Sequence, residues 1–188
     1  MRQQLRPALM MLVILTAITG VLYPLLVTGI AQLAFSRQAN GGLVRVGDTV
    51  VGSALLGQAN DDPRYFWPRP SATGYDALPS GGSNLAPTSA DLAAVVAQRA
   101  ADFRAAHGLS DDTPLPTEML FASGSGLDPH ISPDAARLQV ERVAAARGLD
   151  EAQVAALVEE YVEGPQLGLL GRPRVNVLLL NRALDKIQ

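Results

Sequence analysis

The sequence predicts a mixed α/β globular domain carried on a single N-terminal transmembrane helix. Residues 7–36 contain no Asp, Glu, Lys, Arg or His. Three later segments carry helix start and stop signals, and two runs of β-branched or aliphatic residues read as strands. The 188 residues leave room for one ordinary domain beside the anchor. The expected division is a cytoplasmic N-terminus at 1–7, a span at 8–35 and an extracytoplasmic domain at 36–188.

The span comes first. A bilayer core of roughly 30 Å needs about 20 apolar helical residues, and Ala8 to Phe35 exceeds that with Leu, Ile, Val, Ala and Met on every face. A soluble helix of this length would keep one polar face. A cleaved leader has an apolar run of about 7–15 residues ending in a small-x-small site. Here the run is longer and exits through Gln32-Leu33-Ala34-Phe35-Ser36. The chain has no Cys, which excludes a lipidated-cysteine anchor and agrees with an oxidising exterior. Arg2, Arg6 and the α-amine precede the span, whereas Arg37 and Arg45 follow it with Asp48 close by. That bias places the N-terminus in the cytoplasm and the domain outside. Thr16, Gly20, Pro24 and Thr28 recur every four residues as a narrow stripe that admits a second helix, and Pro24 should bend the span. Gly and Pro are also simply frequent in membrane helices, so the stripe has two readings.

Beyond the anchor, Val44, Val46, Val50 and Val51 around Gly47-Asp48 predict a short hairpin within 43–56. Residues 57–87 are rich in Gly, Pro, Ser and Asn, with Tyr65, Phe66, Trp67 and Tyr75 among them. The aromatics imply a long loop ordered by packing on something. A helix should open at Thr88 or Ser89, with Asp91 completing a capping box, bury Leu92, Val95, Val96 and Phe103, and close at Gly108. A second is expected from the Ser132 cap and Pro133 to Gly148. A third, capped by Asp150, buries Val154, Leu157, Val158 and Tyr161 before Gly164-Pro165. Residues 174–180 read as a buried strand, with Asn181 capping a terminal helical turn.

The chemistry is sparse. All 18 acidic and 13 of the 15 basic residues follow the anchor, a balance of −5 that argues against nucleic acid and against docking on anionic lipid. Ser80-Gly81-Gly82-Ser83-Asn84 resembles part of the signature loop of ABC-type ATPases and could offer backbone amides to phosphate. No G-x-x-x-x-G-K-[ST] loop accompanies it, and a tight turn feeding the helix at Thr88 is the better explanation. Ser123, Ser125, Asp128 and His130 place hydrolase residue types together, but no G-x-S-x-G elbow occurs. With no Cys and only His107 and His130, no metal-ligand pattern is present. The residues therefore nominate neither a catalytic nor a metal site.

Short blocks along the chain nevertheless form a pattern. They run from Leu5-Arg6-Pro7-Ala8, Thr19-Gly20 and Tyr23-Pro24-Leu25-Leu26 through Gln38-Ala39-Asn40-Gly41, Gly47-Asp48-Thr49-Val50, Gly52-Ser53-Ala54-Leu55 and Gly57-Gln58. They continue with Tyr65-Phe66, Arg69-Pro70-Ser71-Ala72-Thr73, Ser80–Leu85, Ala122–Asp128 and Arg142-Val143-Ala144. Pro173–Val177 and Leu180–Asp185 close the series. In this order the chain resembles the C subunit of the Kdp-type potassium-transporting ATPase over essentially its whole length.

The resemblance implies a non-catalytic accessory subunit of a high-affinity, ATP-driven potassium uptake complex in the plasma (inner) membrane. Its partners would be a channel-like potassium-binding subunit, a P-type ATPase subunit and a small hydrophobic subunit. The chain carries neither a D-K-T-G-T phosphorylation motif nor a T-V-G-Y-G-like filter, so potassium would be the ion the complex moves, handled by partners. Two roles are implied for such a subunit. One is an extracytoplasmic cap that holds the assembly together. The other is a helper that raises the ATP affinity of the pump subunit through Ser80, Gly81, Gly82, Ser83, Asn84 and Leu85. An exterior domain favours the cap. The expected partner interface is Gly20 and Pro24 in the anchor, Tyr65, Phe66, Trp67 and Arg69 in the long loop, and Ser123, Ser125 and Asp128. An anchored extracellular hydrolase and a free-standing extracellular binding module are the rival classes.

Overall fold

The computed structural model describes residues 2–187, with side chains from Gln4 onward. The Arg2 side chain, used in the orientation argument, lies outside the described residues. The chain forms two compact units, Met1–Leu43 and Val44–Gln188.

The first unit is helical: α1 (Arg2–Ala17), a π-helical turn (Ile18–Leu22), α2 (Tyr23–Ala34) and the short α3 (Ser36–Ala39). The run Gln4–Ala34 is long and apolar enough to cross a membrane. The wide turn is the answer to Pro24. Proline has no N–H to give to the Gly20 carbonyl, and its ring would collide with that oxygen. The chain instead bonds the Tyr23 N–H to the Ile18 carbonyl, an i→i+5 step. Thr19 Oγ1 also donates to the Leu15 carbonyl at 2.7 Å. The π turn lies between Thr16 and Pro24, two of the four residues expected to form the small-residue stripe.

The second unit opens with the predicted hairpin, β1 (Leu43–Val46) and β2 (Thr49–Ser53), turning at Gly47 with φ of 56°. Residues 57–87 contain no helix or strand, yet they are held at defined points by two side-chain amides. Asn181 Oδ1 accepts from the Phe66 N–H at 2.8 Å and its Nδ2 donates to the Phe66 carbonyl at 2.9 Å. Gln139 does the same for Trp67, at 2.7 and 3.3 Å. Each amide stands in for a neighbouring strand, so the loop satisfies its buried backbone without joining a sheet. The aromatics do order this loop, by packing it into its own domain.

Helix α4 (Ala90–His107) is capped by Ser89, whose Oγ accepts from Leu92 N–H at 3.4 Å, and ends at the left-handed Gly108. Because the cap is Ser89 and not Thr88, Asp91 sits in the first turn as a partner for the helix dipole and no capping box forms. The predicted helix 132–148 is two helices, α5 (Pro133–Arg137) and α6 (Val140–Arg147). Between them Gln139 turns its fully buried side chain toward Trp67, and its N–H bonds the Ala136 carbonyl three residues back. Helix α7 (Glu151–Glu160) is capped by Asp150 as expected.

Strands β3 (His130–Ile131), β4 (Val162–Glu163) and β5 (Arg174–Asn176) form an antiparallel sheet in the order β3-β5-β4, with Ile131 and Val162 both opposite Val175. The predicted strand 174–180 is therefore three residues long and passes into α8 (Val177–Leu184). Asn176, not Asn181, is the cap, its Oδ1 accepting from Leu179 N–H at 3.1 Å. Val177, Leu180, Asn181 and Leu184 are buried together, which is helical spacing. The core lies where α5–α8 and the sheet close over the long loop. Phe66, Ile131, Val143, Val158, Val175 and Leu180 are each no more than 2 % exposed.

Candidate partner-binding site

Three loops, 69–76, 80–85 and 122–128, meet at one place, and glycine lets them meet. Gly126 has φ of 72°, and a Cβ there would stand 2.9 Å from the Gly81 carbonyl oxygen and 2.7 Å from Thr73 Oγ1. At Gly57 a Cβ would come within 2.6 Å of the Asp128 carbonyl oxygen, and its N–H donates to the Leu127 carbonyl at 2.7 Å. No side chain fits at either position without moving backbone. Ser123, 3 % exposed, donates its N–H to the Pro70 carbonyl at 3.1 Å. Ser71 Oγ accepts from the N–H groups of Thr73 and Tyr75 at 3.2 and 2.9 Å. The Tyr75 hydroxyl donates to the Arg69 carbonyl, and burial pushes its pKa up to about 12.

Arg69 and Asp128 tie the first loop to the third. The Arg69 Nη1 donates to Asp128 Oδ2 at 2.8 Å, and the His130 N–H donates to Oδ1 at 3.0 Å. Burial works to raise the Asp128 pKa, but the bonds from His130 and Arg69 outweigh it and hold the carboxyl down at about 2. The pair is a clamp between loops. Ser125 Oγ accepts from Leu127 N–H at 3.1 Å, and the His130 ring faces Asp128 at 3.6 Å. The described contacts of Ser123 and Ser125 are to loop backbone and that of the His130 ring is to Asp128, so these residues are not arranged as a hydrolytic triad.

Beside the loops lies an open groove of about 540 Å³, lined by Ser71, Gly82, Ser83, Leu85, Leu92, Val95, Arg99 and Phe121 among others. Leu85, Val95 and Phe121 are 39, 39 and 41 % exposed. The N-terminal half of the α4 stripe, predicted as core, is thus an open apolar wall, and only Phe103 and His107 of α4 are buried. Arg99 crosses the groove side of α4 and donates to the Leu120 carbonyl at 3.0 Å. The structure thus brings Ser83 and Leu85 together with Arg69, Ser123, Ser125 and Asp128 in and around one feature. It keeps Tyr65, Phe66 and Trp67 out of it. Phe66 is 0 % exposed, which corrects its expected place on a partner face: its ring is already spent on the core. Gly20 and Pro24 belong to the other unit.

The family model for the "K+-transporting ATPase, c chain", KdpC, matches residues 5–186. The chain belongs to the KdpC family. A potassium-transporting ATPase KdpC subunit of Sorangium cellulosum is 57 % identical over 188 residues and 98 % of each chain. The subunit of the same name from Methylococcus capsulatus is 52 % identical over 97 % of each chain. That of Mycobacterium bovis is 50 % identical over the full length of both.

In this KdpC-family chain, Tyr65 and Trp67 serve a second, internal cluster. Arg142 lies over the Trp67 ring at 4.3 Å and donates to the carbonyls of Pro63 and Tyr65, to Gln139 Oε1 and to His107 Nε2. His107 in turn stacks on Phe103 at 4.0 Å and meets Trp67 edge-on at 5.2 Å. Tyr65 donates its hydroxyl to Asp185 at 3.0 Å, beneath Arg147 at 4.5 Å. Composition reasoning singled out the aromatics but not Arg142 or Gln139, because nothing local to those residues marks them as loop anchors. Phe121 and Arg99 were missed for the same reason. Among the described residues no three His, Asp or Glu side chains converge on a point that could hold a metal.

Proposed function

We propose that this chain is a non-catalytic accessory subunit of an ATP-driven potassium uptake complex, anchored through residues 8–35 with its domain outside the cell. In this reading it holds a channel-like potassium-binding subunit together with the P-type ATPase subunit and a small hydrophobic one, while phosphorylation and ion selection belong to those partners. Family membership and the relatives' names support the potassium complex. The observation that carries the accessory role is the groove. Its walls are fixed by glycine-tight loops and an Arg69–Asp128 clamp, yet its rim leaves Leu85, Val95 and Phe121 exposed around Arg99. A pre-formed surface that leaves apolar side chains exposed beside polar ones is what a protein interface needs, and it needs no reacting group.

The test is assembly. Val95→Asp combined with Phe121→Ser alters only side chains exposed on the groove. Co-purification of the other subunits with this double variant should fall by about tenfold or more, with the fold of the domain unchanged by circular dichroism. Undiminished assembly removes the groove from the account.

A second reading is favoured by the polar side of the same groove. Ser71, Ser83 and Arg99 could receive a nucleotide's phosphate and sugar, which is the helper role with Ser80–Leu85 as the contact. It requires a cytoplasmic domain, and the two roles separate on topology.

A further inference from the structure

Between β4 and β5 the chain turns through residues 164–173, and the tip of that turn exposes three leucines to solvent. Leu167, Leu169 and Leu170 are 91, 88 and 60 % exposed. The turn is not loose. Gln166 and Leu170 exchange both backbone hydrogen bonds, at 2.8 and 2.9 Å, closing a three-residue loop over Leu167–Leu169. Leu167 takes φ of 54°, a left-handed conformation that a leucine adopts only against a steric penalty. Internal packing does not explain that strain, because the side chain touches almost nothing. A tight turn is spending conformational strain to hold apolar side chains outward, and such outliers point toward function.

We propose that this leucine tip inserts into the lipid headgroup–acyl boundary of the membrane that carries the anchor. Three observations select lipid over a protein pocket. The tip is a three-residue turn with Gly168 at its middle and Gly164 and Gly171 to either side, too narrow to offer a broad face to a second protein. The turn 164–173 contains no Asp or Glu and carries Arg172, exposed beside the tip, while the next arginine, Arg174, is paired with Glu163 at 3.0 Å. Leucines backed by arginine match the sequence of environments from acyl chains to phosphates. Finally, only residues 35–42 separate α2 from β1, a tether of at most roughly 30 Å, so the domain is confined near the bilayer surface where weak insertion is sufficient. The general unsuitability of this acidic domain for anionic lipid does not extend to this segment. The inference rests on residues 8–35 being a membrane anchor.

The experiment uses the full-length chain in vesicles of phosphatidylcholine and phosphatidylglycerol in a 3:1 ratio, with brominated acyl chains as the lipid-phase quencher. The chain has no native Cys, so Leu169→Cys and, separately, Val13→Cys each give one site for an environment-sensitive fluorophore. Expected is a blue-shifted emission from both labels, quenched by the brominated lipid and protected from aqueous iodide. Replacing Leu167 and Leu170 with Ser should return the Leu169→Cys label to iodide-accessible emission. A quenched Val13→Cys label with a Leu169→Cys label that responds only to iodide overturns the proposal while leaving the anchor intact. An unquenched Val13→Cys label refutes the anchor and the proposal with it. A tip label that becomes shielded only when the other pump subunits are co-reconstituted also overturns it, in favour of a protein contact.

Discussion

At His107 the hydrogen-bond chemistry fixes a protonation state. Arg142 can only donate, so its Nε–H at 2.9 Å requires a lone pair on His107 Nε2. The proton of the neutral ring therefore sits on Nδ1 and is donated to the Phe103 carbonyl at 2.7 Å. Burial lowers the pKa of this histidine to about 4, aided by the charge of Arg142 and opposed by the Phe103 bond. A base whose folded pKa lies below its unfolded value of 6.5 takes up protons more readily when unfolded. Its contribution to stability is complete above about pH 6.5 and disappears as the pH falls to about 4, by on the order of 2–3 kcal/mol. Unfolding of the full chain followed from pH 7 to pH 4 should show that loss. His107→Gln should flatten the curve in this window, and a variant with the same acid slope as the parent would mean the histidine is not its source.

At the scale of elements, α8 is where pattern and structure diverge most. Leu178-Leu179-Leu180 after Val175 and Val177 reads as a strand because a short, wholly apolar run carries no period that separates helix from strand. What decides is long-range: Asn176 caps the helix, and Asn181 must point inward to serve Phe66. Asn181→Ala leaves the Phe66 N–H and carbonyl buried without partners and should cost about 2–4 kcal/mol, read as a lowered midpoint of thermal unfolding. An unchanged midpoint would show that water or a shifted loop replaces the amide. Where signals are local, the sequence was readable. The β1–β2 turn at Gly47, the caps at Ser89, Ser132 and Asp150, and the stops at Gly108 and Gly148 all lie where their residues place them. The long loop's order was legible from its aromatics, but not what it packs on, since its anchors Gln139, Arg142 and Asn181 lie 72 or more residues away. Likewise Leu92 and Val95 have the same spacing whether their face is core or open groove. In the apolar N-terminal helix, Pro24 announced a distortion but not that a π turn would absorb it.

For the whole molecule, the role of the groove depends on which side of the membrane it faces. The groove can meet an ion-conducting partner from outside, or a nucleotide from inside, but not both. The loop pair 80–85 and 122–128 was singled out from sequence, and the structure adds that they are neighbours. It also removes Phe66 from the surface and replaces it with Phe121 and Val95 as exposed apolar groups. In the accessory role proposed above, the groove would work on the side where potassium enters.

The most direct measurement is the location of the domain in intact cells. Ser110→Cys, in the exposed loop after α4, gives a Cys-free chain a single thiol. Cells producing the complete complex are treated with a membrane-impermeant maleimide before and after permeabilisation. Full labelling in intact cells is expected. Labelling that appears only after permeabilisation would contradict it, placing the groove in reach of ATP and making Ser83 and Arg99 the residues of a nucleotide contact.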